Sequence, residues 1–87
     1  MKIKNVVLQT YYSLDDSYIL FPENPLHNKN YKNVEVKLEK KARIMCGIKF
    51  DYDVINIKGQ EPIECELISY YKDPNGTLVI RICQDWG

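Results

Sequence analysis

No catalytic or cofactor signature can be found in this 87-residue chain. It has no Gly-rich phosphate loop, no His-Glu-x-x-His run and no nucleophile elbow, so nucleotide hydrolysis, zinc proteolysis and acyl transfer lack a recognisable carrier. Histidine is nearly absent: His27 is the only one, and it sits in an Asn-rich stretch that cannot be set against any nucleophile. Cysteine is sparse and odd in number. Cys46, Cys65 and Cys83 lie 19 and 18 residues apart, which argues against a disulfide framework and against the tight knuckle from which zinc sites draw two ligands. A Cys3His site through His27 would have to be built without such a knuckle. The expectation is a non-enzyme with no metal and no cofactor.

Long hydrophobic runs are missing as well. Val6-Val7-Leu8 is too short for a signal peptide and nothing approaches a membrane span, so a cytoplasmic protein with no membrane partner is expected. The chain also lacks a net charge, with 12 basic and 12 acidic side chains. Charge is nonetheless segregated. Residues 27–43 carry Lys29, Lys32, Lys37, Lys40, Lys41 and Arg43 against Glu35 and Glu39, whereas acids dominate residues 51–87. Such a dipolar chain can orient a partner but is a poor general polyanion binder. The richness in Ile, Lys, Asn and Tyr is typical of AT-rich coding, as in low-GC bacteria and their phages.

What is present is β-forming sequence. Residues 2–12 are rich in β-branched and aromatic side chains, residues 14–17 suit a turn, and 18–21 a short return strand. Residues 22–33 read as a loop holding two prolines and His27. Over 34–54 two readings compete. As a helix, Val34, Leu38, Ala42 and Met45 share a face; as strands, ten of the eleven even positions from Val34 to Val54 are apolar, Lys40 being the exception. The strand reading fits better, with a turn at 39–41, and a short helix over 34–46 stays open. Asp73-Pro74-Asn75-Gly76 specifies a type I turn closed by a Gly bulge, so Asp73 should pair with Thr77 and fix a terminal hairpin. The predicted fold is mainly β, a single domain over residues 1–87. It is a five- to six-stranded antiparallel meander curled into a barrel or roll.

Those turns imply two faces. A turn near Lys58-Gly59 sets Val54 opposite Ile63, Tyr52 opposite Cys65 and Phe50 opposite Leu67, which makes Cys46, Ile48, Phe50, Tyr52, Val54, Cys65, Leu67, Tyr71, Val79 and Cys83 the expected core. The opposite face then collects four carboxylates, Asp51, Asp53, Glu64 and Glu66, whose mutual repulsion calls for a cation, a basic partner surface or nearby lysines such as Lys49. It also carries Ile68, Tyr70, Leu78, Ile80, Ile82 and Trp86. That apolar set is either a second core layer covered by the N-terminal strands or the 22–33 loop, or a contact patch.

The functional expectation is a small non-enzymatic protein acting by protein–protein contact, in the manner of a phage-encoded inhibitor or adaptor that occupies a basic surface of a larger target. Ile68, Tyr70, Ile80, Ile82 and Trp86 would be its anchors, with Asp51, Asp53, Glu64 and Glu66 steering. One alternative is a nucleic-acid or nucleotide-binding barrel using Lys29, Tyr31, Lys32, Lys40, Lys41 and Arg43. Another is a homo-oligomeric assembly protein.

Overall fold

Residues that tolerate positive φ divide the chain into strands. Asp15 and Asp16 (φ 50° and 63°) and Cys46 and Gly47 (φ 51° and 76°) each form a two-residue reversal with both residues left-handed, the geometry that matches strand twist. In the computed structural model, which describes residues 2–84, these reversals join β1 (Lys2–Leu14) to β2 (Ser17–Leu20) and β3 (Asn30–Met45) to β4 (Ile48–Ile57). β5 (Ile63–Lys72) and β6 (Leu78–Cys83) complete the set. Their turn forms as its sequence dictates. Asp73 N donates to Thr77 O at 2.9 Å, Gly76 is left-handed at 83°, and the Asp73 carboxylate accepts from the amides of Asn75 and Thr77.

The sheet runs β1-β3-β4-β5-β6 and closes on itself by pairing β6 with β1, leaving β2 as an added strand on β1. Every neighbour is antiparallel except β1 and β6, which run parallel from Val6↔Leu78 to Tyr11↔Cys83. The exception follows from arithmetic: a meander of five strands that reverses at each step ends pointing the way it began. The architecture is the expected small β-barrel. Residues 34–46 are strand, and no helix occurs among the described residues.

The core lies inside this barrel. Ile3, Val6, Leu8, Tyr31, Ile55, Ile57, Ile63, Cys65, Leu78, Ile80 and Ile82 form one buried cluster, with Leu26, Val34, Val36 and Leu67 packed against it. Three local features separate this core from the face expected from sequence. The β3–β4 reversal falls at Cys46-Gly47 rather than at 39–41, so β3 is one continuous strand. β4 meets β5 one residue from the expected register, with Ile55 opposite Ile63, Val54 opposite Glu64 and Asp53 opposite Cys65. That register turns Ile55, Ile57 and Ile63 inward together, an apolar gain that the alternative would forfeit. Finally, the terminal hairpin keeps its predicted pairing from Lys72↔Leu78 to Ser69↔Arg81, then slips by one residue at Ile68. Beyond this bulge Leu67 faces Ile82 and Glu66 faces Cys83. Val54, Cys65, Val79 and Cys83 are buried as expected, but Cys46, Ile48, Phe50 and Tyr71 are exposed.

The lone histidine has a structural task. On the side of β1 away from β6, the strand is served in turn by β3, by the 22–29 loop and by β2. Where the loop crosses, Asn28 N donates to Leu8 O (2.7 Å) and Leu8 N to Lys29 O (3.1 Å). His27 Nδ1 accepts from the backbone N–H of the fully buried Thr10 at 3.1 Å, while the Thr10 hydroxyl donates to Phe21 O at 2.9 Å. Imidazole thus stands in for a strand carbonyl. Truncating Ile82 to Ala should cost about 2–5 kcal/mol of stability in urea unfolding, as emptying a packed core position does. Truncating Ile44, outside the barrel, should cost less than about 0.5 kcal/mol.

Candidate functional site

β3 and β4 are longer than the barrel needs. Their distal halves project as a two-stranded arm in which every residue from 40 to 51 is exposed, and the molecule measures 43 Å along its long axis against 25 and 20 Å across. The arm is apolar at its tip. Ile44 is 75% exposed, Ile48 58%, Met45 53% and Phe50 49%. Pairing continues through to Met45↔Ile48, so the two faces of the ribbon can be read directly. One carries Lys41, Arg43, Met45, Ile48, Phe50 and Tyr52. The other carries Lys40, Ala42, Ile44, Lys49, Asp51 and Asp53.

The first of these faces is cationic and aromatic together. The Arg43 guanidinium lies 5.1 Å from the centre of the Tyr52 ring and donates to Glu64 at 2.7 Å. At the arm's base Glu39 is held below the usual carboxylate range, first by its hydrogen bond from Lys37 and further by Lys41 nearby, despite some desolvation.

Where the arm leaves the barrel, β4 and β5 part. Their pairing ends at Asp53↔Cys65, and the next β5 amide that faces β4, that of Leu67, finds the Asp53 carboxylate at 2.8 Å instead of a backbone carbonyl. The other oxygen of Asp53 accepts from Lys40 Nζ at 3.2 Å. The fork opens into a cleft of about 570 Å³ lined by Lys40, Asp51, Tyr52, Asp53, Glu66 and Leu67. A second cleft of about 590 Å³ lies among Leu26, Lys29, Tyr31, Arg43, Ile63 and Glu64. No serine, cysteine or histidine lines either cleft, and the Lys40 amine is tied to Asp53. Arg43 and Glu64 neutralise each other, and His27 spends Nδ1 on Thr10.

The residues proposed from sequence are dispersed by this geometry. Ile80 and Ile82 are fully buried and belong to the core, which makes them packing residues rather than anchors; with Leu78 they follow the covered-layer reading. Ile68 is half-buried at the bulge, and Tyr70 is 57% exposed. Trp86 lies outside the described residues. Of the four expected carboxylates, Asp51, Asp53 and Glu66 line the fork cleft together with Lys40 and Lys41, while Glu64 lies apart in the second cleft. Asp51 is exposed on the arm, Asp53 is largely buried at the fork, Glu64 pairs with Arg43, and Glu66 accepts from Tyr18 at 2.9 Å. That bond is the main reason the Tyr18 phenol is raised. No group of three potential metal ligands occurs among the described residues. Of the nucleic-acid candidates, Lys40, Lys41 and Arg43 share the arm. Lys29 and Lys32 stay on the barrel, and Tyr31 is buried in the core, which raises its phenol and removes it as a stacking platform.

Sequence reasoning missed the arm's apolar tip, because parity assigns Ile44, Ile48 and Phe50 to a common face without revealing that the face has left the barrel. The one available signal was Gly47 midway along the 34–54 run. No helix of the described residues is long and apolar enough to cross a membrane. Comparison with protein-family models, with curated proteins and with solved structures finds no match.

The cysteines separate by environment. Burial, aided by the Asp53 carboxylate, pushes the Cys65 thiol up to about 12. Because the unfolded chain loses this proton near the ordinary value of 9.0 and the folded chain does not, stability should fall as pH rises from there toward 12. In native protein at pH 8, a thiol reagent should modify the exposed Cys46 within the mixing time and reach Cys65 and Cys83 only on unfolding.

Proposed function

We propose that this chain is a non-enzymatic binding protein that acts by protein–protein contact, with the β3–β4 arm as its contact element. The observation that carries this reading is the cluster of large apolar side chains exposed on a ribbon that has no core of its own. A two-stranded hairpin is marginally stable in water and gains when its faces are covered. Cations flanking the apolar tip reverse the expected sign of the target. A groove with an apolar floor and an acidic rim fits Lys41, Met45, Ile48 and Phe50, whereas a basic surface does not. An inhibitor or adaptor would insert the arm into such a groove.

A nucleic-acid reading has one specific observation in its favour, the placement of Lys41 and Arg43 beside Phe50 and Tyr52 on one ribbon face. A β-ribbon can enter a major groove, and bases stack on aromatic rings. Against it, Arg43 is already committed to Glu64 and to the Tyr52 ring.

Affinity capture from a low-GC bacterial lysate, with and without nuclease, separates the two. Contact through the arm predicts a stoichiometric protein that survives nuclease. Its recovery should fall at least about tenfold with the double variant Ile48→Asp/Phe50→Asp and persist with Tyr70→Asp on the barrel. Loss with Tyr70→Asp alone would move the contact surface to the barrel. Binding abolished by nuclease and steeply weakened by salt would favour nucleic acid.

A further inference from the structure

We propose that the free edge of β4 pairs with the same edge of a second copy of this chain, antiparallel about a two-fold axis at Phe50; this rests on the arm being a contact element. The register of the arm determines which backbone groups are available. Residues flanking a two-residue reversal exchange both their hydrogen bonds, so Met45 and Ile48 are a bonded pair, and alternation makes Arg43–Phe50 and Lys41–Tyr52 bonded pairs too. The bond from Lys58 N to Glu35 O, at 2.9 Å, falls on the same alternation at the far end of the strand. The N–H and C=O groups of Lys49 and Asp51 therefore point away from β3. No strand among the described residues meets them, since β4 pairs with β5 only over Asp53, Val54 and Ile55.

The sequence of this edge complements itself. With Phe50 laid against Phe50 of the second copy, Lys49 falls opposite Asp51 and Ile48 opposite Tyr52, each twice by symmetry. Both Lys49–Asp51 pairs then make their backbone bonds and oppose unlike charges. The Phe50 rings occupy the non-bonded position, where cross-strand side chains approach most closely. Neither Lys49 nor Asp51 has an ion-pair partner among the described residues. Pairing between the two copies runs from Ile48 to Tyr52 and stops short of Asp53, whose outer edge is already held by Cys65 of β5.

The other edge of the arm cannot do the same. β3 carries Lys37, Lys40, Lys41 and Arg43, and laid on itself it would gather cations; lysine on an edge strand is a known block to pairing. Association through β4 leaves these guarded β3 edges outermost, so it stops at two copies and closes.

Sedimentation of the full chain over a range of concentrations tests this. The native chain should show a concentration-dependent dimer. Lys49→Asp and Asp51→Lys should each weaken it about 10- to 30-fold by opposing like charges, while circular dichroism shows both variants folded. An equimolar mixture of the two should restore dimerisation, because each cross-pair then opposes unlike charges at both positions. A native chain that stays monomeric at millimolar concentration, or a dimer indifferent to both substitutions, overturns the proposal. So does a mixture that associates no better than its components. A monomeric chain that captures a different protein through Ile48 and Phe50 would overturn self-pairing while leaving the contact role of the arm standing.

Discussion

The parallel ladder between β1 and β6 is the contact on which the rest of the structure depends. Without it the sheet would have two open edges flanking its most apolar strands, and Leu8, Ile80 and Ile82 would face water rather than one another. With it, the interior of a five-stranded barrel is small enough for side chains to fill. The ladder joins residues some 70 positions apart in sequence, so it forms only once the intervening hairpins have brought their ends together. Local turn chemistry therefore carries unusual responsibility. The Asp15-Asp16 pair and the Asp73–Gly76 turn favour reversal through their own residues, whereas Cys46 takes its left-handed φ without a side chain suited to it, and the barrel closes on what these turns prepare.

Much of the fold was legible for that reason. The β1–β2 reversal, the terminal hairpin and the strand character of 34–54 all rest on local signals, whether residues suited to positive φ or period-two apolar patterning. The faces were less legible. A single extra residue at Ile68 exchanges inside for outside over the rest of β5, and no residue type there advertises a bulge. The β4–β5 register was decided by Ile55, Ile57 and Ile63 acting together, whereas sequence reasoning weighed Val54 against Glu64. Glu64 tolerates its place opposite Val54 because its carboxylate reaches out to Arg43. The candidate surface was the least legible part. Alternation along β3 and β4 looks the same within a barrel and beyond it, and only closure of the other strands shows where the barrel stops.

The fork between β4 and β5 links barrel to arm. Asp53 sits where a backbone carbonyl would otherwise be, holding the Leu67 amide with one oxygen and Lys40 with the other. One carboxylate thus ends one ladder and braces the root of the ribbon that continues without it. Packing beneath this point is provided by Ile55 and Cys65, so the arm springs from the rigid part of the molecule although its own residues bury little.

Parallel closure also has a mechanical consequence. Because β1 and β6 run side by side in the same direction, the beginning of one and the end of the other lie at opposite poles of the barrel. Tension applied between Lys2 and Cys83 would load the six residue pairs from Val6↔Leu78 to Tyr11↔Cys83 in shear, with all of them resisting at once, rather than peeling them apart singly. A pull on the tip at Cys46 and Gly47 would draw β3 and β4 together, because the turn joins them, and would load their ladders with β1 and β5. The domain is therefore strong along its chain.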